Sequence, residues 1–368
     1  MSKGRSSVIR SLLQDRLSFL GLFFIISATI ISISGAHIRP DSSKYANDQN
    51  IALARKSPGF STAVLQIPSD EKSRSKSPLK GLLFGGIDSS FSEFPYDSLS
   101  AETGRVLLFF EGEVLHSVEE EVLVNAFEAE KGVALSELVR RNSVVRKYRL
   151  GTDSFGRDML SRLMAGTIVS LSVGFISVLI SLLIGITLGA IAGYYRGYID
   201  NIVMWFINVI WSIPTLLMVI AITLVMGKGF VQVFVAVGLT MWVEVARIVR
   251  GQFIALREQP FIEAGRSMGY NPARLIFKHM LPNAIGPVIV ISAANFASAI
   301  LIEAGLSFLG IGTQIPMPSW GTMIKEHYAY ITTDMAYLAI LPGICITILV
   351  LAFMLIGNRL RDILDVRT

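Results

Sequence analysis

A chain of 368 residues in which 52% are hydrophobic and only 17% charged is too apolar for an ordinary soluble protein, whose charged share is about 25%. Its net charge of +5 comes without the basic patches, interleaved with aromatic residues, that a nucleic-acid partner needs. Cys345 is the sole cysteine, so no intrachain disulfide forms.

The tail carries Lys3, Arg5, Arg10 and Arg16 and leads into a charge-free run at 17–36. That run is longer than the apolar part of a secretory signal, and Ser34-Gly35-Ala36 makes a weak cleavage site, so a retained first helix is expected. Runs at 163–195, 201–227, 280–302 and 335–358 each exceed the ~18 residues that suggest a bilayer span. The run at 229–243 is shorter, and reaches span length if Glu244 lies near the interface and the helix continues to Arg247. The expectation is an all-α polytopic membrane protein with six transmembrane helices. An even number of spans puts the basic tail and the C-terminal Arg359, Arg361 and Arg367 on one side, the cytoplasmic one. The basic cluster Arg140, Arg141, Arg146, Lys147, Arg149, Arg157 and Arg162 falls on the outer side against that bias, in a long loop that translocates largely regardless of charge.

Between the first two spans, residues 39–149 form a segment of different character, expected to be a small α+β extracytoplasmic insert. Residues 69–78 read as a flexible link. Residues 104–115 read as two short strands joined around Glu111-Gly112. Ser117 with Glu120 has the spacing of a capping box, opening a helix towards Gly132. A spacer packed on the rim of the membrane part is favoured over a separate activity. The resulting division is 1–38 for the tail and first helix, 39–149 for the insert, and 150–368 for a five-helix core with a cytoplasmic loop at 250–283.

Gly151-Thr152-Asp153 and Gly156-Arg157-Asp158 precede the second span, where Asp153 or Ser154 can cap a helix start. Within that span, Gly185, Gly189 and Gly193 form a small-residue ridge that permits close helix contact. The polar stretch 260–286 separates two spans. A short helix is expected over 261–268, ended by Gly269 in a left-handed turn. Asn271-Pro272 restarts a helix, with Leu275, Ile276 and Met280 on one face and Pro282 at the entry to the next span. Gly265-Arg266-Ser267-Met268-Gly269 matches the G-x-S-x-G nucleophile elbow, but an elbow needs a preceding strand, and here the serine falls in a helix. Further on come Glu303-Ala304-Gly305-Leu306-Ser307-Phe308-Leu309-Gly310 and Ser319-Trp320-Gly321. Glu303 admits two readings, a solvated interfacial carboxylate or a pairing inside the bundle.

The stretch 260–286 resembles the cytoplasmic coupling loop of binding-protein-dependent ABC importers, through Glu263, Ala264, Gly269, Ile276, His279, Leu281, Pro282 and Asn283. Gly265 departs from that pattern, standing where the family usually has a second Ala, which loosens the helix by up to ~1 kcal/mol. The motifs at 151–158 and 303–321 resemble the peptide and nickel branch of these permeases. The resemblance covers about 150–368 and the first helix, and the insert is longer than the family's usual connection. It implies a type I importer permease in a bacterial cytoplasmic (inner) membrane with both termini cytoplasmic. It also implies a homologous second permease, one or two cytoplasmic ABC ATPase subunits and an extracytoplasmic substrate-binding protein. Peptides are the implied substrate class, with nickel chelates, opines or sugars behind them.

The sequence has no G-x-x-x-x-G-K-[ST] run to cradle nucleotide phosphates, so ATP and Mg are expected on partner ATPases and no cofactor in this chain. His37, His116, His279 and His327 have no metal-ligand spacing, and no catalytic residue is expected. Two other classes stay open: a secondary, ion-coupled transporter, against which the scarcity of intramembrane charge counts, and a membrane anchor for the 39–149 domain.

Overall fold

The computed structural model describes residues 10–68, 91–127 and 134–365; the link expected at 69–78 lies outside them. The first span is helix α1, Arg16–Ile38. Asp15 caps it, its Oδ2 accepting from the Ser18 amide at 2.9 Å and the Ser18 hydroxyl at 2.6 Å.

The chain divides into two compact units, one of them Ile30–Gly166 with His327–Leu338. Its described residues hold two three-stranded antiparallel sheets. Strands β1 (Phe60–Pro68), β2 (Phe91–Tyr96) and β6 (Ser143–Tyr148) run in the order β2-β1-β6; β3 (Ser98–Glu102), β4 (Arg105–Phe110) and β5 (Glu113–Glu119) run in sequence order. Val106, Leu108 and Phe110 alternate into the core, as a strand with one buried face requires. Val106 and Leu108 meet Leu65, helix α2 (Glu120–Ala126) through Leu123, and helix α3 (Leu135–Arg141) through Val139, while Phe110 packs with Leu53 and Tyr148. The strand pair expected around Glu111-Gly112 is β4–β5, and both turn residues have positive φ.

The capping box expected at Ser117 does not form. Ser117 sits in β5 opposite Leu107, the N-cap of α2 is Glu119 without a side-chain cap, and α2 ends at Ala126 rather than near Gly132. The ladder bonds of β5 claim the backbone that a cap would need.

The second unit takes the described residues of Met1–Thr29, Thr167–Glu326 and Ala339–Thr368. Its principal helices are α4 (Met159–Tyr195, entering from the first unit), α5 (Gly197–Trp211), α6 (Thr215–Met226), α7 (Phe230–Arg257), α8 (Pro260–Ser267), α9 (Leu281–Phe308), α10 (Trp320–His327) and α11 (Tyr337–Asp365). Among the described residues, five helices are long and apolar enough to cross a membrane, six with α5 and α6 as one broken span.

Two helical expectations need correction. The run 201–227 is not one continuous helix: α5 and α6 meet at 90°, because Pro214 lacks an amide to continue α5 and itself stands in extended backbone at ψ 125°. The short run at 229 lengthens past Arg247, as expected, into the 28-residue α7. The helix after the loop runs on through Glu303 to Phe308.

The glycine ridge works as expected. A Cβ at Gly185 would stand 2.6 Å from the Val245 Cβ, one at Gly189 2.5 Å from the Ala246 carbonyl, and one at Gly193 2.6 Å from the Phe253 Cβ. The backbone of α4 therefore lies directly on α7, closer than any side chain permits.

Candidate functional site

The polar loop between α7 and α9 is built by identifiable local rules. Pro260 opens α8 at its first turn. A Schellman motif closes it: the Gly269 amide donates to Arg266 O at 2.9 Å and the Tyr270 amide to Gly265 O at 3.0 Å, with Gly269 at φ +78°. Asn271 then caps the next turn, its Oδ1 accepting from the Arg274 amide at 2.8 Å.

Between that turn and α9, Leu275–Met280 winds as a π-helix, which the sequence pattern did not announce. Pro282 supplies a reason: it cannot donate to the carbonyl four residues back, and its ring crowds that carbonyl, so the turn widens. Asn283 Nδ2 donates to the His279 carbonyl at 2.6 Å.

The buried side of the loop is continuous with the spans. Ile262 from α8 and Leu275, Ile276 and Met280 share one core with Val245, Val249 and Phe253 of α7. Gly265, the departure from the family pattern, is buried there: a Cβ would lie 2.9 Å from Leu275 Cδ2 and 3.3 Å from the Tyr270 ring. The small residue lets both side chains close over the end of α8. Above it, the Arg274 guanidinium sits 3.8 Å over the Tyr270 ring, and His279 stacks on the same ring with centroids 5.7 Å apart. His279 thus shares in holding Tyr270.

The outer side exposes Glu263, Ala264 and Arg266 together with Met268 and Phe277, at 64% and 69% of full accessibility. The sequence reading did not single out Met268 or Phe277. Their signal was apolar character off the buried face of a short amphipathic turn. A rigid loop with a mixed-polarity tip can hold a partner surface. Around it, Arg250 grips Asp200 of α5 at 2.5 and 2.7 Å, and Arg257 donates to the Tyr194 carbonyl at 2.9 Å.

Glu303, Ser319, Trp320 and Gly321 form a second cluster. Glu303 lies 21 residues beyond Pro282 in sequence, ~32 Å along the helix, so these residues do not join the loop. Glu303 is fully buried and accepts from the Ser307 hydroxyl at 2.7 Å, which decides for pairing inside the bundle. Trp320 is buried, and a Cβ at Gly321 would stand 2.4 Å from the Ala304 carbonyl.

Gly151, Thr152, Asp153, Gly156, Arg157 and Asp158 cluster within the first unit. The Arg157 Nε donates to Asp153 Oδ2 at 2.6 Å with both side chains buried. Thr152 Oγ1 accepts from the Lys56 amide at 2.8 Å. Gly156 has φ +74°, and a Cβ there would lie 1.7 Å from Asn50 O. Neither Asp153 nor Ser154 caps α4. Asp153 turns the chain by accepting from the Phe155 and Arg157 amides, and Asp158 caps instead, accepting from the Ser161 amide at 2.8 Å. Burial pushes the Asp158 carboxyl up, against the hydrogen bonds from Ser161.

The profile of a family described as binding-protein-dependent transport system inner membrane component matches residues 185–368, which takes in the loop and the Glu303 cluster. The chain belongs to this family. It is a permease subunit of a binding-protein-dependent ABC importer. It is similar to the glutathione transport system permease protein GsiD of Pectobacterium atrosepticum, 42% identical over 59% of this chain and 71% of that protein. It is also similar to the dipeptide transport system permease protein DppC of Alkalihalophilus pseudofirmus, 40% identical over 60% of this chain and 72% of that protein. Among solved structures, an inward-facing MetNI methionine ABC transporter aligns with 56% of this chain and 97% of its own at 24% identity and a TM-score of 0.46. The 39–149 insert lies outside the profile match.

Proposed function

We propose that this permease subunit imports small peptides and that Glu263–Pro282 is the surface on which the ATPases dock. The relatives named for glutathione and dipeptide transport support a peptide substrate. A homologous second permease completes the pathway, one or two cytoplasmic ABC ATPases carry Mg-ATP, and an extracytoplasmic binding protein delivers the cargo. Both chain termini face the cytoplasm and the insert faces outward.

The observation that carries the docking role is the shared core of loop and spans. Closure of the ATPases pushes on the exposed α8 side. Ile262, Leu275 and Ile276 pass that displacement to α7 and α9 without an intervening flexible joint, and the helix bundle rocks between its two facing states.

The test uses the assembled importer in proteoliposomes. Gly269→Val puts a β-branched residue at φ +78°, where an ordinary side chain already costs ~1–2 kcal/mol, and so misplaces the α8 tip. Glu263→Ala changes the tip alone. Uptake is expected to drop sharply in both, with loss of either docking or stimulated ATP hydrolysis. Normal uptake by both variants refutes the docking role. Uptake by the chain without any ATPase makes it a secondary transporter.

A further inference from the structure

Within the span bundle, a cavity of about 350 Å³ lies between α5, α6, α7 and α9, and its lining includes Trp211, Thr215, Thr240, Glu244 and Ser298. Glu244 comes 14 residues after Phe230, the first residue of α7, which places it ~21 Å along that helix. Glu244 is exposed, and among the described residues its carboxylate takes part in no hydrogen bond or ion pair. The basic residue one turn further, Arg247, is held elsewhere: its guanidinium lies 3.6 Å over the Trp211 ring and donates to Asn208 Oδ1 at 3.0 Å.

An unpaired carboxylate in a membrane-spanning helix is costly away from water, and such groups face water, a partner or a substrate path. The first turn of α6 adds to the argument. It starts at Thr215 without a side-chain cap, so its leading amides need water or protein, since lipid offers them no acceptor. Carboxylate and open helix end together set polar groups into the wall of a cavity otherwise lined by apolar side chains such as Ile210, Met218 and Leu301. Its volume also matters, since pockets that hold small molecules run from about 300 to 1,000 Å³, far more than one side chain from a neighbouring subunit fills.

We propose that this cavity is a station on the translocation path, and that Glu244 receives the positively charged amino group of the passing substrate. The inference rests on the peptide-import reading, because a peptide carries an ammonium whatever its side chains are. That ammonium has three donors; the Glu244 carboxylate takes one, with the Thr240 and Ser298 hydroxyls in the same lining for the others. A single carboxylate, with the Arg247 cation held nearby over Trp211, holds the substrate briefly and lets it go, as a conducting site must.

The experiment compares wild type, Glu244→Gln and Glu244→Asp as complete importers in proteoliposomes, supplied with loaded binding protein and a labelled panel of di-, tri- and pentapeptides. Glu244→Gln is expected to lower peptide uptake about tenfold, the value of one charge-assisted hydrogen bond. Binding-protein-stimulated ATP hydrolysis should stay within about twofold of wild type, so ATP spent per peptide rises accordingly, and Glu244→Asp should recover most of the uptake. Unchanged uptake by Glu244→Gln, with an active wild type, overturns the role of Glu244 and leaves peptide import standing. Loss of the assembled complex in Glu244→Gln, seen on size exclusion, overturns it too, because the carboxylate then pairs with a neighbouring subunit. A wild type that imports no peptide of the panel removes both readings.

Discussion

Gly189 offers the sharpest test of how α4 sits on α7. Replacing it by Ala places a methyl group 2.5 Å from the Ala246 carbonyl oxygen, 2.9 Å from the Val249 Cβ and 3.1 Å from the Ala246 Cα. Two of these three neighbours are backbone atoms and cannot rotate away, so relief requires the helices to part by ~1 Å, an overpacking cost of about 1–3 kcal/mol. Against that, Ala gains up to ~1 kcal/mol over Gly in a helix interior. The net expectation is a loss of ~1–2 kcal/mol, or several degrees in melting midpoint. Gly251→Ala makes the same chemical change in α7 where nothing lies within 4 Å, and should stabilise by up to ~1 kcal/mol. Thermal unfolding of the purified protein in mild detergent, followed by tryptophan fluorescence, reads both. A Gly189→Ala protein that melts at or above wild type, or two variants that shift in the same direction, would refute the close-packed interface.

Other perturbations follow from the same geometry. Arg157→Gln leaves the buried Asp153 carboxylate without its cation and should cost about 3–5 kcal/mol, read as a lower melting midpoint and faster proteolysis of the insert. Asp158→Asn keeps an N-cap acceptor for the Ser161 amide while removing a charge whose pKa burial has raised. A raised carboxyl favours the fold fully at low pH and loses that contribution as pH climbs through its folded value. The Asn variant should therefore melt no lower than wild type at pH 7, with any advantage shrinking on acidification; a constant deficit at every pH would contradict this. For topology, a cysteine at Ile51, 80% exposed, in a Cys345→Ala background, should react with an impermeant thiol reagent added outside cells. One at Ser267 should react only after the membrane is opened, and the reverse pattern would invert the orientation.

The spans and the loop were legible in the sequence because each rests on a local signal. A charge-free run of bilayer length has few other fates, and Asn271-Pro272 and Gly269 declare their turns through their own backbone preferences. The features that escaped depend on partners distant in sequence. Ser117 had the spacing of a cap, yet the β4–β5 ladder outcompeted it. Asp153 and Ser154 looked like caps, while the buried Arg157 drew Asp153 into a turn and left Asp158 to cap α4. The bend between α5 and α6 was written in Pro214, but an apolar run masked it. Nothing in the sequence marks the burial of Gly265 against Leu275 and Tyr270, since that contact exists only once the loop has folded.

The single core joining the loop to α7 and α9 has a consequence for compliance. A docking element on a flexible tether would absorb part of each push as its own deformation, and the work of ATP hydrolysis would be lost in the tether. Here the loop can yield only if the packing of Val249, Phe253 and Met280 yields too, so its opening energy approaches that of the spans themselves. Amide hydrogens of α8 should therefore exchange as slowly as those in the loop-proximal turns of α7, an unusual protection for a surface loop. Softening this core by one cavity, as in Phe253→Ala, would let ATP turnover proceed while transport slips.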